Sequence, residues 1–200
     1  PGLERIRLGS LEPRIITEEF AGALAGLAKF CPHFHLSLQS GCDATLKRMN
    51  RHYTTEDYLR RCGILRKWFD HPAITTDVIV GFPGETQEEF DITREFLKKV
   101  HFYEMHVFKY SKRAGTRAAV MPDQVPEQVK GRRSDVLLEL EASMSREYRE
   151  HFIGSSVWVL FDVKAALAVK DGEENRLSGQ ILCLKAAGLL GGNLLEVGWQ

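Results

Sequence analysis

Residues 75–86 read TTDVIVGFPGET: a β-branched run that stops at Gly81 and turns through Pro83-Gly84 into Thr86. Val, Ile and Thr suit a pleated, half-buried surface, and a Pro-Gly pair breaks regular structure. Glu89, three residues after Thr86, completes a capping box that opens a helix. The string predicts a strand over 74–81, a tight turn and a helix, which is one β/α unit.

The same unit recurs on both sides. Residues 5–10, 33–39 and 104–111 are predicted strands. Between them, Thr17 caps a helix carrying Phe20, Leu24 and Leu27, Asp43 caps a short helix to Met49, and Thr55 begins a longer one with Tyr58, Leu59, Cys62, Leu65 and Phe69 at helical spacing. Regular strand–helix alternation with short breaks predicts an α/β fold with a parallel sheet, either a partial barrel or an open sheet. A long charged helix over 128–151, closed by Gly154, ends this domain, taken as residues 1–153. Residues 154–200 change character: strands are predicted at 157–163, 179–185 and 194–199, a small all-β domain.

Composition narrows the function classes. Lys plus Arg and Asp plus Glu both total 27, so any nucleic-acid contact must come from a local patch. Cys31, Cys42, Cys62 and Cys183 show no CxxC or tight triplet, so no metal ligand set is assigned. No run approaches the ~20 apolar residues of a membrane span, and with unpaired thiols a cytoplasmic protein is expected. The chain opens on Pro1-Gly2-Leu3 without an initiator Met, so further elements are expected upstream.

In parallel α/β folds ligands bind beyond the carboxyl ends of the strands. The exits here are Gly9-Ser10-Leu11-Glu12, Gln39-Ser40-Gly41, Gly81-Phe82-Pro83-Gly84-Glu85 and Tyr110-Ser111-Lys112-Arg113. Alternation places Phe34, Leu36 and Leu38 on one face and His33, His35, Ser37 and Gln39 on the other. The histidines are either polar residues on a wet face or ligands, and the Gln39 amide can grip a ribose hydroxyl. Asp77, Ile79 and Gly81 share a face, and Gly81 lets a flat ligand lie on backbone, although folding alone also accounts for these residues. His106, Phe108 and Tyr110 form a stripe whose expected place is the core; the alternative offers 108–111 to an adenine. Lys112, Arg113 and Arg117, near Lys109, are the best phosphate candidates. Arg48, Arg51, Lys130, Arg132 and Arg133 read as solvated surface charge.

HLSLQSGCDATLKRMNRHYTTEDY, TTDVIVGFPGETQEEF and HVFKYSKRAGTRAA together resemble the consecutive core blocks of the radical S-adenosylmethionine (SAM) methylthiotransferases. LGSLEP with HFHLSLQSG looks most like the branch acting on N6-threonylcarbamoyladenosine 37 of tRNA; modification of a ribosomal-protein aspartate, or a non-catalytic SAM- or RNA-binding module, are the competitors. The resemblance implies strands three to six of a partial TIM-like barrel and a C-terminal TRAM-like domain. It implies SAM and two 4Fe-4S clusters in the longer parent, held by cysteines outside this chain, so the 200 residues alone are expected to be inactive. A tRNA substrate and an electron donor are implied partners. Carried over by position, Ser37 and Gln39 fall near the ribose and methionine of SAM, Asp77, Ile79 and Gly81 beside its adenosine, and Phe108, Tyr110 and Ser111 at the adenine edge. Asp77 stands where the family motif has glycine, and Glu85 lies one place late. No acid, base or nucleophile is assigned, and the catalytic set is empty.

Overall fold

The computed structural model describes residues 2–3 and 5–154, with the backbone of 156–159 and 193–196. Four strands, β1 (Ser10–Leu11), β2 (His33–Leu36), β3 (Ala73–Val80) and β4 (Glu104–Lys109), form one parallel sheet in the order β1-β2-β3-β4. Helices α1 (Glu18–Ala25), α2 (Asp43–Arg48), α3 (Thr55–Trp68) and α4 (Gln87–Val100) lie in the connections, and α5 (Glu127–Glu150) packs on β4 and β3. Sequence-adjacent parallel strands joined through helices are the repeating unit of a β/α barrel.

Local signals explain the helix starts. Thr17 accepts from the Phe20 amide, and both Thr54/Asp57 and Thr86/Glu89 form complete capping boxes. Asp43 does not cap α2. Cys42 holds that position, and the Asp43 carboxylate instead accepts from the Thr55 amide at 2.7 Å, tying α2 to the start of α3. Leu27 lies beyond α1 and is exposed.

The sheet buries one face. Phe34, Leu36, Leu38, Ile74, Val78, Val80 and Met105 meet Tyr58, Leu65, Phe90, Leu97 and Leu137 from the helices in a single core. On β4 it is Met105 that is buried there and Val107 that packs partly against it, while His106 and Phe108 are exposed. The expected core role of the aromatic stripe is therefore wrong: the α5 side of β4 is already filled by Met105 and Val107, which alternate with the stripe.

Two strand predictions were also too simple. Over 5–10 only Ser10 joins a strand ladder; Ile6 makes an isolated bridge to Phe30. In β2 the register slips: His35 pairs with Thr75 but Gln39 with Val78, so one extra residue is accommodated between them, as in a β-bulge. The freed backbone groups find side chains. Thr76 Oγ1 donates to the Leu36 carbonyl at 2.6 Å and accepts from the Leu38 amide at 3.0 Å, while the Tyr53 hydroxyl reaches the Ser37 and Leu38 carbonyls at 3.0 and 2.9 Å. Tyr58 adds a 2.8 Å bond to the Leu36 carbonyl. Buried backbone groups without partners would cost stability, so these three side chains make the bulge possible.

Backbone strands at Ser156–Val159 and Asn193–Glu196 pair antiparallel, overlapping two of the strands predicted near the C-terminus. The predicted strand at 179–185 lies outside the described residues. Among the described residues no helix is long and apolar enough to cross a membrane.

Candidate functional site at the strand exits

Three exits meet at the carboxyl edge of the sheet. The Tyr110 amide donates to the Val80 carbonyl at 2.9 Å, which sets Tyr110 beside Gly81, and the Gln39 amide donates to the Asp77 carbonyl at 2.8 Å. Gln39, Gly81 and Tyr110 thus share one rim. Gln39 has φ 72°, a left-handed conformation rare for a non-glycine residue, and its side-chain amide has no hydrogen-bond partner among the described residues. Strain of this kind costs about 1–3 kcal/mol and persists where the surroundings over-determine it. Here the bulge does so.

Along the face opposite the core, Ile79 and Phe108 are in register, and Phe108 is 52% exposed. Tyr110 packs edge-on against Phe82 at 5.3 Å, and its hydroxyl is buried with no hydrogen-bond partner among the described residues. Ser111, Lys112 and Arg113 are exposed on the loop that follows, and Arg117 is exposed at the start of a 3-10 helix, Arg117–Val120. A cleft of about 540 Å³ is lined by Lys109, Tyr110, Ser111, Lys112, Gln124, Val125, Glu127 and Lys130.

The rim is braced from α5 by residues that the sequence assigned to solvated surface. Lys130 is buried; its ammonium donates to the Tyr110 carbonyl at 2.9 Å and pairs with Glu127 at 2.6 Å. Its stem lies where a Gly81 side chain would be: a Cβ there would overlap Lys130 Cγ, so the space that the missing side chain leaves is filled by protein. Arg133, also buried, bonds Glu85 Oε2 at 2.7 Å and the Glu85 carbonyl at 3.1 Å. Glu85 in turn accepts from the Gly81 amide at 2.6 Å. Burial pushes the Glu85 carboxyl upward, against the pull of the Gly81 amide and Arg133. Both cations were misjudged because a helix's burial by a sheet edge leaves no local mark on charged residues.

Toward the amino ends of the strands on the same face lies a second cleft of about 500 Å³, lined by residues including Arg7, Ser10, His33, His35, Thr75, Asp77, Glu104 and His106. Asp77, expected beside an adenosine, is engaged here by His35 at 3.3 Å. His33 receives the Arg7 guanidinium at 3.0–3.2 Å. Burial, then the Arg7 charge, lowers its pKa to about 4. Ser37 lies within the bulge, its carbonyl held by Tyr53.

With this geometry in place, the comparisons define a class. Residues 3–97 match the Radical SAM superfamily, and the fold matches coproporphyrinogen III oxidase from Escherichia coli with a TM-score of 0.56 at 20% identity, over 71% of this chain and 32% of that one. Over residues 3–97 the chain is thus similar to a radical SAM domain, and its parallel α/β sheet agrees with the fold of that class. More particularly, it is homologous to tRNA-2-methylthio-N(6)-dimethylallyladenosine synthases. It is 44% identical to the one from Caldicellulosiruptor saccharolyticus over 80% of this chain and 34% of the relative. Against that of Thermoanaerobacter sp. it is 40% identical over 95% of this chain and 39% of the relative. The chain thus spans little more than a third of the length of these relatives.

Proposed function

We propose that this chain is the SAM-gripping part of a radical SAM methylthiotransferase that modifies C2 of N6-threonylcarbamoyladenosine 37 in tRNA. The reaction class is carried by one observation: 44% identity, across four fifths of the chain, to a tRNA methylthiotransferase. The nucleoside rests on LGSLEP and HFHLSLQSG, which resemble the threonylcarbamoyl branch. The names of the relatives favour a second reading, in which the same chemistry acts on N6-dimethylallyladenosine.

SAM and a 4Fe-4S cluster supply the one-electron chemistry of this class when bound. The rim fits the nucleoside end of SAM, because a buried Tyr110 hydroxyl and the Gln39 amide lack partners among the described residues and a polar ligand atom would satisfy both. In this reading Ser37 and Gln39 receive the ribose and methionine. Ile79 lies beside the adenosine, and Phe108, Tyr110 and Ser111 meet the adenine edge. The exposed cations Lys112, Arg113 and Arg117 contact tRNA phosphates. Among the described residues Cys31, Cys42 and Cys62 belong to no cluster of potential ligands, so no iron is placed on them. A ribosomal-protein substrate is the competitor in which these cations would have no phosphate to meet.

Nucleoside analysis of tRNA from cells lacking the gene tests this. Loss of the methylthio group from threonylcarbamoyladenosine alone supports the first reading, and loss from the dimethylallyl nucleoside alone supports the second. An unchanged profile for both overturns the tRNA assignment.

A further inference from the structure

The polar face of the sheet holds a constellation that the rim does not use. One donor atom from each of His35, Asp77 and His106 lies within 4.8 Å of the other two. We propose that these three side chains form a binding site for a divalent first-row transition ion of the zinc type.

The three strands converge by register. Asp77 and His106 are directly paired across β3 and β4, and His35 sits opposite Thr75 on the neighbouring strand. Asp77 and His106 therefore project from one face about 4.8 Å apart, and His35 stands diagonally from Asp77, two residues along β3, a gap of roughly 7–8 Å between backbones that its imidazole spans. The His35 Nε2 to Asp77 Oδ2 distance is 3.3 Å. That is longer than a charge-assisted hydrogen bond of about 2.7–2.9 Å. It equals the ~3.3 Å edge of a tetrahedron whose metal–donor bonds are about 2.0–2.1 Å.

The neighbours support ligation. Thr75, buried, contacts His35 Nδ1 at 2.9 Å. The tautomer with the proton on Nδ1 leaves the Nε2 lone pair toward Asp77, the outer-shell arrangement that fixes a metal-binding imidazole. The His35 and His106 rings lie near-parallel, 5.7 Å apart. Glu104 lines the same cleft and adds negative charge, while the Arg7 guanidinium is turned to His33. Two imidazoles and a carboxylate select zinc, ferrous iron or cobalt over calcium or magnesium. Three protein ligands opening into a cleft leave a coordination position for water.

The test titrates the metal-free 200-residue chain with Co²⁺, followed by visible absorption and by ¹H NMR of the histidines, and with Zn²⁺ by calorimetry. Expected are one equivalent bound, d–d bands of a nitrogen–oxygen site, and paramagnetic shifts confined to His35 and His106. His106→Gln and Asp77→Asn each weaken binding by about tenfold or more, and Thr75→Val by roughly 10–100-fold, with far-UV dichroism unchanged; His52→Gln, a control away from the cleft, does nothing. Absence of stoichiometric binding overturns the proposal. So does a sulfur charge-transfer band reporting cysteine ligation, or affinity unchanged in the variants. The NMR shifts decide the matter even for a variant that folds poorly. None of these readouts depends on SAM or tRNA, so the site stands or falls separately from the proposed reaction.

Discussion

The buried Glu85–Arg133 pair offers the sharpest quantitative test of how the rim is held. The two side chains are 1% and 6% exposed and 2.7 Å apart, and Glu85 also receives the Gly81 amide. Glu85→Gln keeps an oxygen for that amide but leaves the Arg133 charge buried without a counter-ion. Breaking a buried pair from one side costs about 3–5 kcal/mol. Glu85→Ala also orphans the Gly81 amide, adding about 1–3 kcal/mol. With a urea slope of about 1–3 kcal/mol/M, Glu85→Gln moves the unfolding midpoint down by roughly 1–5 M, and Glu85→Ala moves it further. The double variant Glu85→Leu/Arg133→Met removes both charges and recovers most of the loss from Glu85→Gln, because the cost lies in the uncompensated charge. Urea unfolding followed by tryptophan fluorescence and dichroism measures all three. A Glu85→Gln loss under ~1 kcal/mol, the worth of an exposed pair, would refute the idea that this contact braces the β3 exit.

Other perturbations follow from the same coordinates. Gly81→Ala forces a Cβ into the Lys130 stem at φ 72°, and thermal melts should show a loss above about 2 kcal/mol. Thr76→Val strips the bulge of its hydroxyl and leaves the Leu38 amide without its partner, costing about 1–3 kcal/mol in urea; a neutral result would mean that water replaces it. Arg48 bonds Glu89 through both guanidinium nitrogens and holds that carboxyl below its usual 4.5. Because the folded value is depressed, the contribution is complete above pH 4.5 and is lost as pH falls through the folded value; Arg48→Met should flatten that acid limb in stability titrations. His33 has a folded pKa of about 4 against 6.5 unfolded, so the unfolded chain binds more protons between them. Stability should fall on acidification across that interval, and His33→Gln should remove part of the slope.

What the sequence determined is whatever depends on neighbours along the chain. The capping box at Thr86, the β-branched run before Gly81 and the strand–helix alternation specify their own local geometry, and the repeat of that unit implies a parallel sheet. Alternation also put Phe34, Leu36 and Leu38 inside and His35 and Asp77 on the opposite face, because side-chain direction has period two in any regular strand. Tertiary structure decided what depends on contacts between elements. Lys130 and Arg133 carry the local signature of a solvated helix and become buried only because α5 crosses the exits of β3 and β4. The aromatic stripe of β4 faces outward because Met105 and Val107 fill the side that packs on α5. The bulge at 36–39 appears only when β2 is laid against β3, since the extra residue is defined by pairing. Register likewise brings His35, Asp77 and His106 together across three strands, a meeting of residues tens of positions apart that no spacing within one segment records.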